Sequence, residues 1–148
     1  DLAELDASLA GFRRAHPGLE LWVEPGRYLV AEAGVLLASV TQLKAKGERL
    51  YVGTDAGMNS LVRPVLYGAW HEISSLTRLG EPAELVADVV GPICESGDVI
   101  GRSRPLPMTR EGDVLLVATA GAYGRSMASS YNLREPAREA WLPAPLDP

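Results

Sequence analysis

From Gly34 onward the chain consists of short apolar runs, each soon cut by glycine, proline or aspartate, and no helix of ordinary length fits between the cuts. GVLLASVTQL (34–43) and RLYVGTD (49–55) flank a Lys-Ala-Lys-Gly-Glu turn and read as a hairpin closing near Gly47. HEISSLT (71–77), AELVADVVGP (83–92), DVLLVAT (113–119) and AREAWL (137–142) are further strand-like runs. Strands that short must be closed or stacked to bury their apolar faces, so the expected architecture is a Greek-key-like β-barrel or sandwich. Two short helical turns interrupt the strands, one in NSLVRPVLYGAW (59–70), where Pro64 limits it, and one in AYGRSMAS (122–129). The Gly-Asp-Val triplets that start at 97 and 112 read as turn chemistry rather than as a repeat, and the proline-rich tail from Pro143 as a frayed terminus.

The first 27 residues have a different character. Leu2, Leu5, Leu9 and Phe12 form one stripe, with acids near the start and Arg13, Arg14 and His16 near the end, so residues 1–16 read as an amphipathic helix stopped by Pro17-Gly18. LELWV (19–23) is long enough for one buried strand, and Glu24-Pro25-Gly26-Arg27 follows as a turn in which no ladder can continue. Helix, loop, strand and charged turn make half of a β/α unit. That half unit, and a first residue that is Asp rather than Met, suggest a start inside a longer protein.

The 148 residues carry a formal charge of −5 and a mean hydropathy of +0.02, which suits one globular domain. Lysine occurs only at 44 and 46 and no basic face is visible, so nucleic acid is an unsuitable partner. No run reaches membrane-spanning length. Cys94 is the only cysteine and makes no metal-ligand spacing with His16 and His71; a chain that cannot form an internal disulfide suits a reducing cytoplasm.

Four stretches carry groups able to do chemistry. In EPGR, Gly26 lets backbone N–H groups approach an anion and Arg27 can clamp a phosphate or carboxylate, although Pro-Gly-Arg taken alone is more often a surface turn. In DAGMNSLVRPVLYGAWHEI (55–73), Arg63 and Tyr67 lie four apart on one helical face; they suit a carboxylate, and equally suit an arginine stacked on a surface tyrosine. In GPICESGDVI (91–100), Cys94 and Glu95 leave a strand together, where a thiol is either an inert filler or a proton carrier beside a cleft. In TAGAYGRSMASSYN (119–132), Tyr123 stands among small residues that would let a ligand come close.

EPGRYLVAEAGVLL, DAGMNSLVRPVLYGAWHEI, VVGPICESGDVIG and TAGAYGRSMASSYN occur together and in this order. Over about residues 19–142 they resemble the C-terminal part of the diaminopimelate decarboxylases, pyridoxal-phosphate enzymes built like alanine racemase and ornithine decarboxylase. The resemblance implies that residues 1–27 are the last helix and strand of an N-terminal β/α barrel and residues 28–148 a C-terminal β domain. It implies that Glu24, Pro25, Gly26 and Arg27 line the cofactor phosphate, that Arg27 also binds substrate, and that Arg63 and Tyr67 hold the substrate's distal carboxylate. Cys94 then matches the proton donor, Glu95 the acid that receives the distal ammonium, and Tyr123 a residue touching both cofactor and substrate.

The same resemblance implies conversion of meso-2,6-diaminopimelate to L-lysine and CO2 with pyridoxal 5'-phosphate, in a homodimer whose Cys-Glu loop enters the partner's active site. The lysine that holds the cofactor as a Schiff base lies outside this chain, since Lys44 and Lys46 flank an exposed turn and match no motif. Without it these residues alone are expected to be inactive. Two alternatives stand beside this reading: a decarboxylase of the same fold with another amino-acid substrate, and a non-catalytic β module for dimerisation.

Overall fold

The computed structural model describes residues 1–142; the tail from Pro143 lies outside the described residues. Helix α1 (Leu2–Ala15) starts on Asp1, whose carboxylate accepts the Ala3 N–H at 2.9 Å, and has basic residues in its last turn. It is the amphipathic helix that the sequence predicts, yet its stripe is uncovered: Leu2, Leu5 and Phe12 are all exposed.

LELWV is not a strand. Residues 19–25 adopt no regular structure, no strand of the described chain lies beside them, and Leu19, Trp22 and Val23 are exposed. A strand exists only with a ladder partner for its backbone, so apolar content alone does not make one here. The EPGR turn likewise proves to be the start of a short helix, α2 (Gly26–Val30).

The body of the chain is one six-stranded mixed sheet. Its strands are β1 (Leu36–Lys46), β2 (Arg49–Thr54), β3 (Ile73–Ser75), β4 (Leu85–Val90), β5 (Val99–Leu106) and β6 (Val114–Val117), in the order β3-β6-β1-β2-β4-β5. β1 and β2 form the predicted hairpin, with Gly47 at φ 61° in its turn. β2 runs parallel to β4, and every other pairing is antiparallel. The outer strands β3 and β5 touch, which curls the sheet toward a barrel and encloses its core.

Alternation places Leu36, Ala38 and Val40 of β1 inward, against Val52, Val89, Ile100, Leu106, Leu115 and Val117. Besides LELWV, two further segments depart from the strand expectations. β5 lies in a segment with no predicted strand, because Gly101, Arg104 and Pro105 break its apolar pattern; proline is tolerated there because β5 ends the sheet. AREAWL (137–142) is irregular instead of extended in a ladder. Its approach is strapped to the 59–60 loop by side chains: Asn59 Nδ2 donates to the carbonyls of Arg134 and Glu135 at 3.3 Å, and Ser60 Oγ accepts the Ala137 N–H at 2.9 Å. Helix α3 (Arg63–Tyr67) and a 3-10 turn at Arg125–Met127 are the two predicted helical interruptions.

Two buried aspartates stitch the loops to the sheet. Asp98 accepts the N–H groups of Met58 at 2.6 Å and Ile93 at 2.7 Å, and its oxygens lie where a Cβ on Gly57 or Gly91 would stand. Asp113 accepts the Arg78 guanidinium and the Arg110 N–H, each at 2.8 Å. Burial would raise the Asp113 pKa, but the Arg78 side chain and the Arg110 N–H outweigh it and hold the carboxyl below its ordinary range.

Gly91→Ala should lower the unfolding free energy by about 1–3 kcal/mol in denaturant titration, because its methyl has no space between Asp98 and Gly57. A group whose pKa is lowered by folding stabilises the fold above its unfolded pKa and stops doing so as pH falls through the folded value. Asp113→Asn should therefore lower the Tm at pH 7 and flatten the loss of Tm below about pH 4; an unchanged acid limb would contradict the assignment.

Candidate active site

Helix α2 and the chain leaving β6 meet at glycines. The N–H of Ala120 donates to Gly34 O at 2.8 Å and that of Gly121 to Ala31 O at 3.0 Å. A Cβ on Gly121 would strike the backbone of Val30 and Gly34, and one on Gly124 the carbonyl of Ala120. These small residues serve the approach of one backbone segment to another. They leave Thr119 and Tyr123 in left-handed backbone, at φ 54° and 61°, a conformation that costs a non-glycine residue about 1 kcal/mol or more.

Between α2, the start of α3 and this loop opens a cleft of about 960 Å³, lined in part by Glu24, Pro25, Gly26, Arg27, Arg63, Thr119 and Tyr123. Six of the nine residues singled out in the sequence thus share one space, although they come from segments nearly a hundred positions apart in the chain. Gly26 faces open space, with nothing within 4 Å of where its Cβ would be. The N–H groups of Arg27 and Tyr28 find no backbone acceptor among the described residues. Neither Arg27 nor Arg63 makes an ion pair among those residues.

Arg63 is held by a residue whose part the sequence does not reveal. His71, fully buried just before β3, has Nε2 3.1 Å from Arg63 Nη1 and Nδ1 2.9 Å from the Ala118 carbonyl. Burial lowers its pKa, the Ala118 carbonyl opposes that, and the cations of Arg63 and Arg104 lower it further. Beside it Arg104 is also buried, its guanidinium 3.2 Å from the centre of the Trp70 ring, with Nε and Nη1 making no hydrogen bond among the described residues. A histidine inside a strand-like run carries no sequence signal of this role; only the fold brings it to Arg63.

Tyr67, Cys94 and Glu95 do not line the cleft. Tyr67 ends α3, capped by Gly68 in left-handed backbone, and its ring is exposed. Cys94 is a free, exposed thiol in the turn between β4 and β5. Glu95 Oε1 accepts from Ser96 Oγ and the Gly97 N–H, both at 3.2 Å, and so folds back on its own turn. Gly97 brings that turn against Val65 of α3, while Arg63, at the start of α3, reaches the cleft. Lys44 and Lys46 are exposed on β1 near the hairpin turn. Among the described residues no three His, Cys, Asp or Glu side chains group as metal ligands, and no helix is long and apolar enough to cross a membrane.

Residues 27–121 match the family model of the pyridoxal-dependent decarboxylase C-terminal sheet domain. The chain is 48% identical over 140 residues to a diaminopimelate decarboxylase of Neisseria meningitidis serogroup A, a match covering 93% of this chain and 32% of that protein. Among solved structures, the diaminopimelate decarboxylase of M. jannaschii in complex with L-lysine superposes with a TM-score of 0.75 at 41% identity, over 86% of this chain and 30% of that one. A Vibrio vulnificus lysine/ornithine decarboxylase in complex with cadaverine superposes with a TM-score of 0.66 at 26% identity, over 75% of this chain and 30% of that one. The chain spans about a third of the length of the curated relatives it matches. By sequence and by fold, the chain belongs to the pyridoxal-dependent decarboxylases, as their C-terminal sheet domain.

Proposed function

We propose that these residues are the C-terminal portion of a diaminopimelate decarboxylase, which converts meso-2,6-diaminopimelate to L-lysine and CO2. One observation carries the reading: Arg27 and Arg63 face a single cleft with no ion-pair partner on either among the described residues. Two guanidiniums suit a ligand pair with two separate anionic groups, a cofactor phosphate and a substrate carboxylate far from the reacting carbon. Ornithine and arginine have no distal carboxylate, and they would leave the half-buried Arg63 without a counter-charge. The closer likeness to relatives named for diaminopimelate than to one named for lysine and ornithine supports the same choice.

The residues at the α2 end of the cleft fit pyridoxal 5'-phosphate. Arg27 offers a guanidinium, the Arg27 and Tyr28 N–H groups have no backbone acceptor, and Gly26 leaves open space for phosphate oxygens. Tyr123, half exposed on the opposite wall, presents an aromatic ring to the same space. When bound, the cofactor supplies the ring that draws off the electron pair left by the departing carboxylate. The chain's own residues do the rest: Arg63 and Tyr67 hold the distal carboxylate, Glu95 receives the distal ammonium, and the Cys94 thiol holds the proton destined for the α-carbon.

Cys94 and Glu95 stand outside this chain's cleft, which favours a homodimer in which the turn between β4 and β5 completes the site of the partner. The amine that anchors the cofactor comes from the N-terminal barrel of the same protein, because Lys44 and Lys46 sit exposed near a hairpin turn. Residues 1–27 would complete that barrel and residues 28–148 would form the β domain, with α2 spanning the junction. The uncovered apolar side chains of α1 and of 19–23 suit burial against barrel neighbours. A cytoplasmic location accompanies this reading, in keeping with a reduced, exposed Cys94.

The test is CO2 release by the full-length protein with added cofactor, offered meso-diaminopimelate, ornithine, arginine and lysine in parallel. Preference for diaminopimelate is expected, and preference for any of the other three would overturn the reading. Residues 1–148 alone should release no CO2. Cys94→Ala in the full-length protein should lower kcat by about 100-fold or more while leaving lysine affinity within about twofold; unchanged turnover would remove the proton-donor role.

A further inference from the structure

We propose that His71 is the positioning residue for Arg63, a neutral acceptor that aims the guanidinium into the cleft without neutralising its charge. The inference rests on the reading of Arg63 as the group that binds the substrate's distal carboxylate.

The tautomer follows from the partners. A carbonyl oxygen only accepts and a guanidinium only donates, so Nδ1 must carry the proton given to Ala118 O, and Nε2 must offer its lone pair to Arg63 Nη1. No other protonation state serves both contacts. A second proton would set N–H against N–H in a site fully shielded from water, with Arg63 and Arg104 both nearby. The imidazole is also fixed in place. It sits at the entry to β3 while Ala118 leaves β6, and these paired strands extend their ladder through the Ala118 N–H to Glu72 O at 2.9 Å. Arg63 is thus tied to the rigid end of a sheet, one residue away from the cleft-lining Thr119.

Three other arginines are held differently. Arg78 is paired with Asp113 at 2.8 Å and with Glu81 at 3.5 Å, Arg102 with Asp88 at 3.9 Å, and Arg125 with Glu139 at 3.5 Å. Each of those guanidiniums already has its counter-charge, and an incoming carboxylate would have to displace it. Arg63 has an oriented donor on one side and an uncompensated charge toward the cleft, the arrangement that suits binding an anionic ligand group rather than supporting the fold.

The experiment measures dissociation constants of lysine and of cadaverine, which lacks the carboxylate, by calorimetry on the full-length cofactor-loaded protein, beside KM and kcat. Arg63→Ala is the reference for losing the carboxylate grip. His71→Leu should weaken lysine binding and raise KM by about tenfold to a hundredfold, with cadaverine binding and kcat changed by less than about threefold. His71→Gln, which restores a neutral acceptor, should recover much of the lysine preference. His71→Glu holds Arg63 but cancels its charge, and should lose the preference as His71→Leu does. If His71→Leu does not fold, the Gln and Glu variants carry the comparison. Should His71→Glu keep the wild-type lysine preference while Arg63→Ala loses it, His71 is only a tether and the proposal is overturned. Should Arg63→Ala itself keep the preference, the substrate reading of Arg63 falls, and this proposal falls with it.

Discussion

The Asp98 carboxylate is buried between Gly57 and Gly91, where it takes the N–H groups of Met58 and Ile93 into two short hydrogen bonds. A carboxylate removed from water must find donors, and only two backbone segments stripped of side chains can come near enough to supply them. One of those segments leads into α3, with Arg63 at its start; the other leads into the turn that carries Cys94 and Glu95. A single buried anion therefore fixes both the cleft-facing arginine and the exposed thiol to the same point of the sheet. The Gly97 approach to Val65 closes the arrangement from the other side.

Three buried or half-buried arginines illustrate how the partner decides what a cation can do. Arg78 is bound to Asp113 and joins the loop before β6 to the end of β3; its charge is spent on the fold. Arg104 lies over Trp70 with two nitrogens unpaired, so the aromatic face offsets only part of its desolvation, and burial pulls its pKa below the ordinary value while the nearby Glu72 opposes this. Arg63, by contrast, is oriented by the neutral His71 and keeps its charge for the cleft. Nothing in residue type distinguishes the three. Position in the tertiary structure does.

That contrast marks what could be read from the sequence. Five of the six strands, among them the hairpin pair, both helical interruptions and the amphipathic first helix follow from local pattern, because each depends on side-chain alternation or on a breaker within a few residues. Local pattern fails at LELWV and AREAWL, where apolar content is strand-like but no ladder partner is present among the described residues, and at β5, where partners exist although Gly101, Arg104 and Pro105 hide the alternation. For the site, the EPGR, Arg63 and Tyr123 motifs announce residues that the fold does bring to one cleft. His71 and Asp98 remain hidden, since their meaning lies in contacts 47 and 40 positions away. The two Gly-Asp-Val triplets were legible as turns, yet each also delivers a buried carboxylate at the entry to a strand, β5 in one case and β6 in the other.

The cleft itself exists because α2 leans on the exit of β6, and that contact is made by backbone rather than by a side-chain core. Gly34 and Gly121 allow the two segments to exchange hydrogen bonds at a separation no methyl group would permit. The same closeness forces the chain to reverse within a few residues, so Thr119 and Tyr123 take left-handed backbone although neither is glycine. A β-branched threonine pays most for that conformation, and the neighbouring ladder and glycine contacts hold it there. The result is that Thr119 and Tyr123 line the cleft together with Arg27, whose helix is joined to the exit of β6 by backbone hydrogen bonds, and with Arg63, which is held through His71 to the same end of the sheet. Both walls are therefore referenced to the end of β6, and a ligand held between them is positioned by the sheet rather than by the short helices that touch it.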